Sequence, residues 1–282
     1  MRRLFLLCIL LACSFGASAA SGPDAVRKQV ESSMLVTGTI DVDASGKVLG
    51  YALDMPEKLP QGIREMADKQ IVAWRFEPIN IADGQKTRSR MRLFFVAKRI
   101  DNRRFEVTLQ SAGFDALNDS GRFQVDKSRF RQPVYPFAAT KGVSVSGTVY
   151  LSLRIGIDGK LRDAAVEQVN LAVIGSEKDM ARWREALARN AMASTRTMHF
   201  NVPAQAVFEG KEEEIGRVAI EYLLEDTSVP GYGQWRTYVP GPREAIPWAN
   251  DSLLATSPDT MLPGTYTPAG AGRRLLTPLA GG

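Results

Sequence analysis

Apolar residues recur at every second position through Val36, Gly38, Ile40 and Val42, and again through Val149, Leu151, Leu153 and Ile155. A period of two puts one face of an extended chain against a core, so each run predicts a strand. The first run turns at Ser45-Gly46-Lys47 and resumes at Val48, whereas the second turns at Asp158-Gly159-Lys160 and resumes at Leu161. Both therefore read as hairpins. A helical stripe follows each hairpin: Ile63, Met66, Ala67, Ile71 and Trp74 in the first, Met180, Trp183, Leu187, Ala191 and Met192 in the second, at spacings of three and four. Pro60 suits the start of the first helix, because its missing N–H has no partner there, and Ser176 with Asp179 marks the start of the second. An aromatic stop closes each copy, Trp74-Arg75-Phe76-Glu77-Pro78 and Met198-His199-Phe200-Asn201-Val202-Pro203. Aligning Gly46 with Gly159 gives a repeat far longer than the roughly 20–50 residues of solenoid units, so the pattern implies two duplicated domains, the second with a longer helical stretch.

Further strands frame these segments. Ser89, Met91, Leu93 and Phe95 alternate with Arg88, Arg90, Arg92 and Phe94. Lys86, Arg88, Arg90 and Arg92 then form a basic stripe, readable as a solvated sheet face or as a contact for an anionic glycan or lipid headgroup. Phe105 to Leu109 reads as one more strand, and Ile215 to Leu224 as the last, with Val218, Ile220 and Tyr222 on one face and Arg217 and Glu221 on the other. Glu212-Glu213-Glu214 reads as a solvated turn, since adjacent carboxylates on extended chain point apart.

The ends differ in character. Arg2 and Arg3, an apolar run from Leu4 to Ala12 and Ala17-Ser18-Ala19 have the order of a secretory leader, so residues 1–19 read as a signal peptide. The run is shorter than the ~20 residues of a spanning helix, and Leu10-Leu11-Ala12-Cys13 resembles a lipobox, so release, lipidation and retention all stay open. The expected location is the periplasm. Both cysteines, Cys8 and Cys13, fall inside the leader, so a processed chain would rely on buried apolar surface and not on disulfides. The net charge of +5 steers weakly toward anionic surfaces. After Asp226, eight prolines from Pro230 to Pro278 mix with Gly, Ser and Thr, which reads as a flexible tail over 227–282 whose Trp235, Tyr238 and Trp248 could dock.

Candidate chemistry is sparse. The one histidine, His199, lies beside the second aromatic stop as a partly exposed residue at the start of the sheet. Asp41 and Asp43 share a strand face and read as solvated. Cys-His nucleophiles are excluded after processing, and no phosphate loop or nucleophile elbow appears. The reading is a non-enzymatic chain with no catalytic residues, no metal site and no cofactor.

Pro133-Val134-Tyr135-Pro136-Phe137-Ala138-Ala139, then Gly147-Thr148-Val149 and the Asp158-Gly159 turn, resembles the C-terminal domain of the TonB energy-transducer family. Residues 132–226 carry the clear copy and 22–110 a degenerate one lacking the Tyr-Pro opening, with 111–131 as linker. The resemblance implies an α+β fold of two tandem domains, each a three-stranded antiparallel sheet with helix packed on one face. In it Pro133, Tyr135, Pro136, Gly147, Asp158, Gly159 and Phe200, with Gly46, Trp74, Phe76 and Pro78 of the first copy, keep the family motif. It also implies an exposed final edge, Ile215, Arg217, Val218, Ile220, Tyr222 and Leu224, onto which a segment of an outer-membrane receptor or transducer adds as a strand. Function then follows as partner binding in TonB-dependent transmembrane transport across the cell envelope, with a structural protein that binds peptidoglycan or itself as the alternative. Met198 stands where the family has tryptophan, and the Pro-rich segment comes last instead of spacing an anchor from the domains.

Overall fold

The computed structural model describes residues 22–279 apart from 83, 102, 118–122, 127, 131, 132, 205–211, 225–229, 255 and 271; the leader expected over 1–19 lies outside the described residues. The fold is mixed α+β and mostly antiparallel. Its elements are α1 (Pro23–Arg27), β1 (Glu31–Asp43), β2 (Val48–Leu53), α2 (Gln61–Ile71), β3 (Lys86–Arg99), β4 (Phe105–Ala116), β5 (Gln124–Val125), β6 (Gly147–Gly156), β7 (Leu161–Leu171), α3 (Glu177–Thr195), β8 (Phe200–Asn201), β9 (Glu213–Tyr222), β10 (Arg236–Tyr238), α4 (Asp251–Leu254) and β11 (Tyr266–Pro268).

Both predicted hairpin–helix–strand units form, β1-β2-α2-β3 and β6-β7-α3-β9, each with its first strand between the other two. The closing geometry repeats as well. Gly46 (φ +85°) and Gly159 (φ +74°) sit in the left-handed region, where a Cβ would fall 1.9 Å from the Phe76 carbonyl oxygen and 2.2 Å from that of Phe200. Only glycine lets the hairpin turn approach the aromatic stop so closely. The amide of Phe76 donates to the Gly46 carbonyl at 2.8 Å, and that of Phe200 to Gly159 at 2.8 Å.

Each helical stripe finds the strand face its period predicts. In the first unit Ile63, Ala67 and Ile71 of α2 meet Met34, Val36, Ile40, Met91, Leu93 and Phe95, all buried. Trp74, Phe76 and Phe114 complete that core edge to face, Phe76 and Phe114 with ring centroids 4.8 Å apart. Such edge-to-face pairs stabilise beyond their area by about 0.5–1.5 kcal/mol each. Pro60 stands just before α2, at its N-cap. In the second unit Met180, Trp183, Leu187 and Ala191 of α3 cover Val149, Leu151, Leu153 and Ile155. Ser176 caps α3, its Oγ accepting from the Asp179 amide at 3.2 Å.

The sheets are larger than the three strands expected. The first has five, in the order β10-β1-β3-β4 with β2 also on β1, and the second has four, β11-β9-β6-β7. The added strands have a common cause in the C-terminal segment, so the flexible tail expected over 227–282 is corrected for its described residues. β10 pairs Tyr238 with Glu31 of the first sheet, and β11 pairs Tyr266 with Val218 of the second. Between them Val239 exchanges both backbone hydrogen bonds with Leu171. Proline density did not forbid order, because these prolines lie between pairing segments or, like Pro268, on an outer strand where a missing N–H is tolerated. The ends of the first domain and the linker shift too. β4 runs on to Ala116, while Val26 of α1 and Phe123 before β5 are buried in the core of the second unit.

The helix-free faces of the two sheets, with the C-terminal segment, bound a cavity of about 310 Å³ lined by Leu35, Phe94, Tyr150, Asn170, Tyr232 and Asp259 among others.

Candidate functional site

The expected site is the outer edge of β9, and its residues lie together but not in the open. Val218, Ile220 and Tyr222 point into the α3-covered core and are buried. Tyr222 Oη donates to Asn190 Oδ1 at 2.7 Å. Arg217 faces the other way and is also buried, held in a two-bond grip by Glu167: Nε to Oε2 at 2.5 Å and Nη2 to Oε1 at 2.8 Å. Its Nη1 donates to the Thr256 carbonyl at 3.0 Å and hydroxyl at 2.9 Å. Leu224 lies past the end of the strand. The backbone edge is occupied as well. β11 pairs with Gly216, Arg217 and Val218, and the amides of Ala269 and Gly264 donate to the carbonyls of Ile215 and Ala219 at 2.7 and 2.9 Å. The ring of Tyr266 lies where a side chain on Gly216 would stand, 2.4 Å from a Cβ. The exposed edge expected at Ile215–Leu224 is therefore corrected over Ile215–Ala219, where the chain supplies its own next strand.

In the first unit β4 occupies the equivalent place, on the outer side of β3, and follows it directly in the chain. β4 is itself the end of that sheet, and among the described residues its backbone pairs with β3 alone. This edge is unpaired, with Gly272 of the C-terminal segment lying against the Phe114 carbonyl near its end. It borders a groove of about 780 Å³ between Gln110–Asp115 and the C-terminal segment from Asp251 to Leu279. Sequence reading ended this strand at Leu109, because Gln110, Ser111, Gly113 and Asp115 break the apolar alternation. Ser111, Gly113 and Asp115 are buried, and Asp115 bonds to Arg92 at 2.5 Å.

The basic stripe on β3 is mostly committed. Asp41 accepts from Arg88 at 2.6 and 2.8 Å and from Lys86 at 2.7 Å, and these bonds, Arg88 first, hold its carboxyl well below the usual carboxylate range. Asp41 is buried, which corrects the solvated reading; Asp43 instead fastens the hairpin turn, accepting from Ser45 Oγ at 2.7 Å and the Lys47 amide at 2.9 Å. Arg92 is buried with Asp115, leaving Arg90 as the exposed cation of the four without an ion pair among the described residues. The expectation of a wholly solvated stripe is corrected accordingly.

The motif residues of the second unit gather at its opening and its turn. Tyr135 Oη donates to the Val145 carbonyl at 3.0 Å and accepts from the Val145 amide at 2.5 Å, while its ring packs on Phe137 at 4.5 Å. Pro133 and Pro136 flank it half-buried, and the Pro136 carbonyl accepts from the Thr140 amide at 3.1 Å. Gly147 begins β6, and Asp158 Oδ1 accepts from the Lys160 amide at 3.1 Å at the turn. Pro78 is exposed just past the first aromatic stop. His199 is half-buried, its Nδ1 3.2 Å from the Thr197 carbonyl.

Among the described residues no group of three or more His, Cys, Asp or Glu is placed to hold a metal ion, and no helix is long and apolar enough to cross a membrane. Asp259, like Asp115 and Glu167, is a buried carboxylate without a clear signal in the sequence. It accepts from Asn170 Nδ2 and Ser257 Oγ, each at 3.1 Å, and burial pushes its pKa up. Its only sequence signal was a place in a segment read as tail. No protein-family model matches this chain, and no curated protein and no solved structure matches it either.

Proposed function

We propose that this chain is a non-enzymatic periplasmic interaction module of the TonB C-terminal type, working beside TonB-dependent outer-membrane transport, and that it binds extended partner segments by strand addition. The observation that carries the reading is the twice-repeated hairpin–helix–strand unit with the same glycine-to-aromatic closure, Gly46 with Phe76 and Gly159 with Phe200. Unpaired N–H and C=O groups on a sheet edge supply affinity for any extended chain, and alternate side chains supply selectivity. The edge of β4, which among the described residues pairs with β3 alone, supports that mode as far as Phe114, where Gly272 lies against its carbonyl. Partner binding at β9, the edge that the family resemblance favours, requires release of Tyr266–Pro268 first.

Titration of the isotope-labelled protein with N-terminal segments of outer-membrane receptors tests this. Backbone shifts confined to β4, or to β9 with loss of the β11 pairing, are the expected result. Shifts at neither edge count against it. Self-association through the same β4 edge would appear as protein-concentration-dependent shifts there without peptide. For the peptidoglycan alternative, Asp41 shared by Lys86 and Arg88 and Asp115 paired with Arg92 neutralise part of the charge on the stripe that would carry it.

A further inference from the structure

The groove beside β4 carries a chemistry of its own. Arg243, Arg273 and Arg274, contributed by the C-terminal segment, line it together with residues of the strand. Arg274 is exposed and joins no ion pair among the described residues. Arg243 is half-exposed, donating from Nη2 to Ser257 Oγ at 2.8 Å and reaching Glu167 only at 3.9 Å. Arg273 donates to Thr87 Oγ1 at 2.6 Å and to the Glu77 carbonyl at 3.2 Å, and lies over the Phe76 ring. Its Nε is buried with no hydrogen-bond partner, and burial lowers its pKa. A desolvated guanidinium donor is costly to leave unmet, so Arg273 keeps unspent hydrogen-bonding capacity at the wall of the groove. Ser111 Oγ, on β4 itself, is a second buried group there without a partner. The acids of the groove are fewer and partly spent: Asp115 is bonded to Arg92, while Glu77 and Asp251 are exposed at the rim.

We propose that this groove takes an extended, acidic peptide segment of a partner protein, its backbone laid along β4 and its carboxylates met by Arg243, Arg273 and Arg274. The inference deepens the strand-addition reading and rests on it, adding the edge used and the charge of the partner. Guanidinium forks pair carboxylates through two parallel bonds, and alternate side chains of one strand project to one side, so a segment with acids at every second position fits the geometry.

The test uses the full chain and three synthetic peptides in which valine alternates with glutamate, glutamine or lysine. The glutamate peptide is expected to shift the amides of Gln110–Gly113, to lose affinity as salt rises, and to bind roughly three- to tenfold more weakly to the Arg243→Gln, Arg274→Gln double variant. Both side chains reach solvent, and an unchanged melting temperature shows that the variant is folded. Equal binding of the glutamine peptide along β4 overturns the acidic preference and leaves strand addition standing. Glutamate-peptide shifts confined to residues outside β4 overturn the site. Binding of none of the three overturns this inference, while a response to receptor segments would still uphold the broader reading.

Discussion

The Phe200 amide donates to the Gly159 carbonyl at 2.8 Å, tying the end of the α3 connection to the hairpin turn before it. Phe76 and Gly46 make the same bond in the first unit. Gly159→Ala places a methyl group against the Phe200 carbonyl and forces a left-handed backbone on an L side chain. Urea denaturation should show a loss of about 1–3 kcal/mol, and Gly46→Ala a similar one. Unchanged midpoints would mean that the turns relax freely.

Arg217 and Glu167 are a buried pair, and the cost of breaking one differs from its net worth. Glu167→Ala leaves the Arg217 guanidinium buried with Thr256 alone, and the expected loss is about 3–5 kcal/mol. Replacing both, Glu167→Leu with Arg217→Met, should recover most of it. A double variant no better than the single one would show that the pair contributes more than its own neutralisation.

The C-terminal segment is a structural part of both sheets. Ending the chain at Leu224 removes β10, β11 and the Val239–Leu171 bonds and exposes the helix-free faces. Calorimetry should show a lower melting temperature and broader transitions than for the full chain. A flexible tail, the reading its composition invites, would leave the melt unaltered.

Asp259 gives the fold a pH dependence of defined sign. Burial raises its folded pKa above the unfolded value of about 3.9, so the folded state holds this proton more tightly. The stability it contributes is present below about pH 4 and is lost as pH rises through the folded value. Asp259→Asn keeps an acceptor for Asn170 and should raise the melting temperature at neutral pH, with the gain shrinking toward pH 4. A gain independent of pH would assign the effect to packing.

The sequence was most legible where one physical rule decided a segment. Period-two runs gave β1, β3 and β6, spacings of three and four gave α2 and α3, and glycine at a turn located both hairpins. It was least legible where pairing and not side-chain pattern made the strand. β10 and β11 hold three residues each, too few for any period, and their partners are remote in the chain. The predicted edge at Ile215–Leu224 was therefore found as a strand but not as a covered one. Asp41 and Arg92 misled for a related reason: a charge looks solvated until its opposite, on a neighbouring strand, is known.

The most direct measurement of the central claim is amide hydrogen exchange on the full chain, with and without an outer-membrane receptor N-terminal segment. If partners add along a sheet edge, new protection appears at β4 from Gln110 to Gly113, or at β9 together with faster exchange at Tyr266–Pro268. Protection confined to loops or helices, with both edges unchanged, would contradict it.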